Sequence, residues 1–233
     1  MKISSKIIIT TLFLLFIIKI NAQKSGIVIY KVINEVTNFN NKGAENNFSA
    51  LDKKVYEIAK DFNFILKFNS KESLYFWEEE MPDENTNKYL LIMARVMGGG
   101  MTITYQNKID SLILVQGHDP RTKEPYRETS SLYKYNWKIT KEIDTILGYP
   151  VIKAVGKNVE VWFTPNIPVP FGPASYGGLP GLILKFKYKR RTIVAEKIRF
   201  LKKSIKIKKP ETGTLRTEEE GRAARIKAMN FTK

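Results

Sequence analysis

The chain has 233 residues, 43% hydrophobic and 27% charged, with a formal charge of +16, one histidine and no cysteine. The missing cysteine excludes thiol catalysis, cysteine-bound metals, disulfides and lipid attachment through an N-terminal cysteine. A single histidine leaves no second imidazole for a histidine-based metal site.

The chain opens with Lys2 and Lys6, an apolar run from Ile7 to Ile18, and then Lys19, Ile20, Asn21 and Ala22. A basic head, an apolar stretch of about a dozen residues and a small residue at the end are the layout of a secretory signal. The run falls short of the roughly 20 apolar residues that a transmembrane helix needs. We therefore expect residues 1–22 to be a signal peptide and 23–233 a single β-rich domain, periplasmic or secreted and not integral to the membrane after cleavage. About 211 residues suffice for a core that needs no disulfide. Loss of Lys2, Lys6 and Lys19 lowers the formal charge from +16 to +13.

Residues 26–36 alternate loosely as a strand, and 51–60 form a weak helical candidate. Phe62, Phe64, Leu66 and Phe68 recur at every second residue, the pattern of a strand with one buried face. Asn69-Ser70-Lys71-Glu72 is suitable turn chemistry leading to a partner strand at 73–77. Glu78, Glu79, Glu80, Asp83 and Glu84 follow; they could meet a cation such as Ca²⁺, but their spacing fits no known loop and reads as a solvated hairpin end. Further strands are expected at 89–96, 101–106, 111–115, 133–139, 151–155 and 159–164, with turns at 98–100 and 117–120. His118 stands beside Asp119 with no partner histidine and no G-x-S-x-G elbow, so it reads as a solvated loop residue. No catalytic residue, metal ligand or cofactor is assigned. Thr217 and Glu220 have capping-box spacing and open a helix over 217–229.

The densest pattern lies between Trp137 and Leu184. The strand ending at Thr164 stops because Pro165 cannot donate to a ladder. Pro165, Pro168, Pro170 and Pro173 hold the next stretch extended, and Gly172 falls just before the last of them. Gly177, Gly178, Pro180 and Gly181 bracket Leu179 in a tight bend, after which 182–188 restarts as a strand. This is a rigid crossover between two strands, with Trp162 nearby. Its hexapeptide, Gly178 to Ile183, together with Trp137, Gly148-Tyr149, Lys153-Ala154, Trp162-Phe163-Thr164-Pro165, Ile167-Pro168 and Gly172-Pro173, resembles the GLPGLI family, exported proteins of Bacteroidetes. The resemblance spans roughly 130–190. Many members carry a cysteine near the position of Val151, and this chain does not. By fold analogy the resemblance implies a mainly β fold, a curved antiparallel sheet or half-barrel like the lipoprotein carriers, with one or two helices including a C-terminal one. It implies no established activity.

Between Lys185 and Lys209 stand twelve Lys or Arg against one acid, Glu196. Lys185, Lys187 and Lys189 alternate with Phe186 and Tyr188, and Lys206 and Lys208 with Ile205 and Ile207. That pattern gives strands with a basic face toward solvent. Such a face serves solubility and edge protection, or attracts anionic lipid, glycolipid or polysaccharide; nucleic acid fits poorly with export. Asp110-Ser111-Leu112 and Asp144-Thr145-Ile146 match the short O-glycosylation acceptor pattern of Bacteroidetes. The functional expectation is a non-catalytic binding protein or carrier for an apolar or amphipathic ligand (lipid or glycolipid). The alternatives are an accessory docking on an outer-membrane protein and, third, a hydrolase.

Overall fold

In the computed structural model, residues 25–33, 50–78, 87–119, 122–188 and 191–230 are described, side chains being covered up to 226. The expected signal at 1–22, the acids Glu79, Glu80, Asp83 and Glu84, and Lys189 lie outside these residues.

The fold is mainly β. Among the described residues, twelve strands form one open mixed sheet, with three helices. The strands are β1 (Ser25–Ile33), β2 (Phe64–Phe68), β3 (Glu72–Trp77), β4 (Ile103–Asn107), β5 (Leu112–His118), β6 (Pro125–Ser131), β7 (Lys138–Ile146), β8 (Tyr149–Gly156), β9 (Val159–Thr164), β10 (Leu182–Tyr188), β11 (Arg191–Leu201) and β12 (Thr214–Thr217). The helices are α1 (Ala50–Ala59), α2 (Lys88–Met97) and α3 (Glu218–Asn230). The spatial order is β12-β6-β5-β4-β3-β2-β1-β11-β10-β9-β8-β7. Every pairing is antiparallel except β12 against β6, which is parallel. Among the described residues no helix is long and apolar enough to cross a membrane.

Connectivity requires the sheet to curve. Strands β6 and β7 stand ten steps apart in the sheet, roughly 48 Å if it were flat. Only residues 132–137 join them, and a link of that length spans at most about 25 Å. The sheet is therefore rolled, and its concave side becomes the core. Val28, Tyr30 and Val32 of β1, Phe64, Leu66 and Phe68 of β2, Tyr75 of β3 and Phe186 of β10 all face inward and are essentially inaccessible. Helix α1 lays Val55, Tyr56 and Ala59 onto this face, and α2 adds Ala94 with Leu90, Leu91 and Met97.

Several sequence expectations are corrected. Residues 89–96 are helix, not strand: Leu90, Leu91, Ala94 and Met97 repeat at helical spacing, and the Asn87 side chain caps the Tyr89 and Leu90 amides. A short apolar run cannot by periodicity alone distinguish helix from buried strand, and Leu, Met, Ala and Arg are good helix formers. Residues 133–137 are a link rather than the start of a strand, whereas the polar segment Pro125–Ser131 is β6. The segment around Ile205 and Ile207 is not a strand. It crosses the outer face, where Ile207 packs on Tyr105 and Leu114. The hairpin turn at 69–72 and the capping box form as read. Asn69 accepts from the Lys71 and Glu72 amides, and Thr217 and Glu220 cap each other reciprocally.

Candidate functional site

The Pro/Gly crossover, residues 165–181, lies on the concave side. Ile167, Val169, Phe171 and Leu179 are 0–4% exposed within the main core, whereas Pro165, Pro168 and Pro180 face solvent. Its backbone folds on itself, the Gly178 amide donating to the Pro170 carbonyl at 2.9 Å and the Ile183 amide to Phe171 at 2.9 Å. The crossover and the start of β10 are also fastened to distant segments. Gln106 of β4 donates to the Tyr176 carbonyl (3.0 Å), the Trp137 indole to the Gly177 carbonyl (2.9 Å), and the buried Tyr30 hydroxyl to the Ile183 carbonyl (2.6 Å). Burial pushes the Tyr30 hydroxyl well above its ordinary range. Gly178 sits at φ +84°, and a Cβ there would lie 2.7 Å from the Leu132 carbonyl oxygen; at Gly181 it would lie 2.3 Å from the Thr164 oxygen. Gly172 and Pro173 are buried in the same bend. The hexapeptide region thus plugs the rolled sheet.

The outer face carries the other candidates. Strand register aligns Lys153, Trp162, Lys185 and Val194 in one row across β8 to β11. Lys185 Nζ lies 4.5 Å and Lys153 Nζ 5.5 Å from the Trp162 ring centroid. Lys153 is also held at 3.2 Å by Glu142 and by Glu160. Burial alone would pull the Lys153 ammonium down, but these two carboxylates outweigh it and raise its pKa. Lys187 faces outward opposite Glu160. Lys206 and Lys208 are exposed on the segment that crosses the outer face, on either side of the buried Ile207. The expected strand pair is therefore one strand, β10, plus an irregular crossing segment. Ser111, at φ +52°, and Thr145 are both exposed, in the β4–β5 turn and near the end of β7.

The sequence reading did not assemble one further feature. A cleft of about 430 Å³ opens on the outer face at one end of β2–β5. Its floor is Leu74, Phe76 and Ile103, and Lys67, Trp77, Arg95, Met101 and His118 stand around it. The Arg95 guanidinium lies 4.0 Å from the Trp77 ring centroid and the Lys67 ammonium 5.1 Å from that of Phe76. Trp77 Nε1 and Arg95 Nε are buried with no hydrogen-bond partner. His118 is the exposed last residue of β5 rather than part of a loop. One signal for this cleft was present in the sequence. Leu74, Phe76 and Ile103 occupy outward positions, which on an antiparallel sheet are usually polar.

Comparison with known proteins adds a local family match and a likeness of fold. Residues 155–185, spanning β9, the crossover and the start of β10, match the model of a family described as a protein of unknown function (Porph_ging). No curated protein matches the chain. Two solved structures of PNGF-II, in C2 and P21 space groups, are similar over 86% of this chain, with 19% and 18% identity and TM-scores of 0.54 and 0.55. This likeness is one of fold. The chain spans about a third of the length of PNGF-II, 32% and 33% in the two structures.

Proposed function

We propose that this is an exported protein of the GLPGLI family, periplasmic or secreted, that binds or carries an amphipathic ligand without catalysing its conversion. The outer-face cleft carries this reading: an apolar floor with cations at its rim, about 430 Å³ in volume, within the range of small-ligand sites. The concave side, where a carrier of the analogous fold would hold its cargo, is packed with Phe171, Leu179 and their neighbours. A ligand therefore has its place outside the sheet. The signal layout of residues 1–22 supports export, and the hexapeptide at 178–183, inside the segment matched by the family model, supports the family reading.

The test is native mass spectrometry of the mature protein, purified from envelope fractions and then offered a bacterial lipid extract. A stoichiometric adduct is expected, and it should weaken in a Phe76→Ser or Ile103→Ser variant. Absence of any adduct, both as purified and after loading, overturns the proposal.

A further inference from the structure

We infer that the cleft selects an amphiphile with an anionic oxygen head, a carboxylate or phosphate on an apolar body, with Arg95 and Lys67 holding the head and Phe76 and Ile103 the body. The inference rests on the binding reading above and specifies its ligand.

Three observations converge. First, Arg95 lines the cleft with its Nε buried and unpaired, its guanidinium stacked on Trp77, whose own side chain packs toward the core opposite Phe64. The guanidinium offers donors only, so an occupant that meets it brings acceptors rather than donors. Second, the formally charged side chains among the described residues lining the cleft are cations, Lys67 and Arg95. Each is laid along an aromatic ring, Phe76 and Trp77 respectively. Ring packing restrains the two cationic heads, so less side-chain freedom is lost when an anion arrives. Third, the floor is apolar, and Ile103 in it and Met101 beside it remain 38% and 45% exposed. An inorganic anion alone would leave this surface wet, whereas an apolar body attached to the anion covers it. Arg95 is itself positioned by its Nη2 contact to the Gly100 carbonyl (3.5 Å) and by the turn in which the Gly100 amide donates to the Arg95 carbonyl (2.9 Å). The α2–β4 turn thus orients the anion-binding group over a floor built by β3 and β4.

The experiment is isothermal titration of the mature protein with four probes: dodecanoate, dodecyl phosphate, a neutral dodecyl maltoside and inorganic phosphate. Dodecanoate or dodecyl phosphate should bind roughly tenfold or more tightly than the neutral amphiphile, as expected for charge-assisted hydrogen bonds, and inorganic phosphate should bind far more weakly than either. Arg95→Gln and Lys67→Gln should erase the preference for the anionic heads. Lys185→Gln, which removes the same charge elsewhere on the outer face, should leave it intact. Circular dichroism confirms that each variant is folded. Equal binding of neutral and anionic dodecyl probes overturns the anion inference and leaves the binding reading standing. Binding of no amphiphile overturns both. An equal loss in Lys185→Gln would assign the preference to overall charge and also overturn the inference. Which anionic head binds better distinguishes a fatty acid from a phospholipid source.

Discussion

Three glycines allow the architectural role of the hexapeptide to be measured, because they separate backbone strain from steric overlap. Gly148 and Gly178 both have positive φ, +77° and +84°. A Cβ at Gly148 meets nothing within 4 Å, whereas at Gly178 it would lie 2.7 Å from the Leu132 carbonyl oxygen. Gly181 has no φ strain, but its Cβ would lie 2.3 Å from the Thr164 oxygen and 2.6 Å from that residue's carbonyl carbon. Left-handed backbone costs a residue with a Cβ about 1–2 kcal/mol, and overpacking against a well-packed neighbour typically adds about 1–3 kcal/mol. Gly148→Ala should therefore cost about 1 kcal/mol, Gly178→Ala about 3 kcal/mol, and Gly181→Ala about 2 kcal/mol or more, since backbone atoms cannot rotate aside. For a chain of this size each kcal/mol shifts Tm by about 2–4 °C, so Gly178→Ala should melt roughly 6–12 °C below wild type and Gly148→Ala about 2–4 °C below. Thermal and urea unfolding followed by circular dichroism measure these shifts. If Gly178→Ala were no worse than Gly148→Ala, the close approach to Leu132 would carry no weight. The plug would then not be architectural.

Three further outcomes follow from buried groups. Tyr30→Phe removes the donor to the Ile183 carbonyl and should cost about 1–3 kcal/mol in urea unfolding; a change below about 0.5 kcal/mol would mean that the carbonyl finds another partner. Burial holds Tyr30 and Tyr75 protonated well above the ordinary tyrosine range and pushes Tyr105 up to about 12. Because the folded pKa values are raised, this stability is intact below about pH 10, where free tyrosine titrates, and is lost as pH climbs toward the folded values. Absorbance at 295 nm, taken as the difference between wild type and the Tyr75→Phe variant, should show this ring ionising only together with unfolding, and its ionisation near pH 10 in the folded protein would contradict the burial. Glu128 is clamped by Arg225 at 2.8 Å and by Arg216 at 3.4 Å. Glu128→Ala should raise hydrogen exchange across 214–226 while leaving β1 and β2 protected, and uniform loosening would show that the contact is not local.

The legibility of the fold tracks how local its determinants are. The hairpin of β2 and β3 was readable because Phe64, Leu66 and Phe68 alternate and Asn69 supplies its own turn. β9 and β10 were readable because prolines and glycines end and restart them sharply. α2 was misread because its exposed Tyr89, Ile92 and Val96 fill the face that would normally announce an amphipathic helix with polar residues. β6 escaped because Tyr126, Arg127, Glu128 and Thr129 are polar or half-buried and earn their strand by pairing with β5 and β12, a partner 88 residues downstream in the case of Thr129 and Thr217. The crossover was singled out from sequence, but its task of filling the concave side depends on Gln106, Leu132 and Trp137, which no local window joins to it. The cleft needed the register of four strands and the reclassification of α2 before Arg95 and Trp77 could be placed side by side.

The central position of β1 has a consequence for synthesis. Its partner β2 follows soon, but its other edge waits for β11, where Gly26 meets Phe200 and Val32 meets Ile193. At ribosomal speeds of roughly 5–20 residues per second, that edge stays open for about 10–30 s. During this interval a mostly apolar strand, Ser25–Ile33, offers unpaired amides and carbonyls to any extended chain nearby. A strand near the middle of the finished sheet is thus one whose edge waits longest for its partner, and a factor that escorts this protein has that edge to shield.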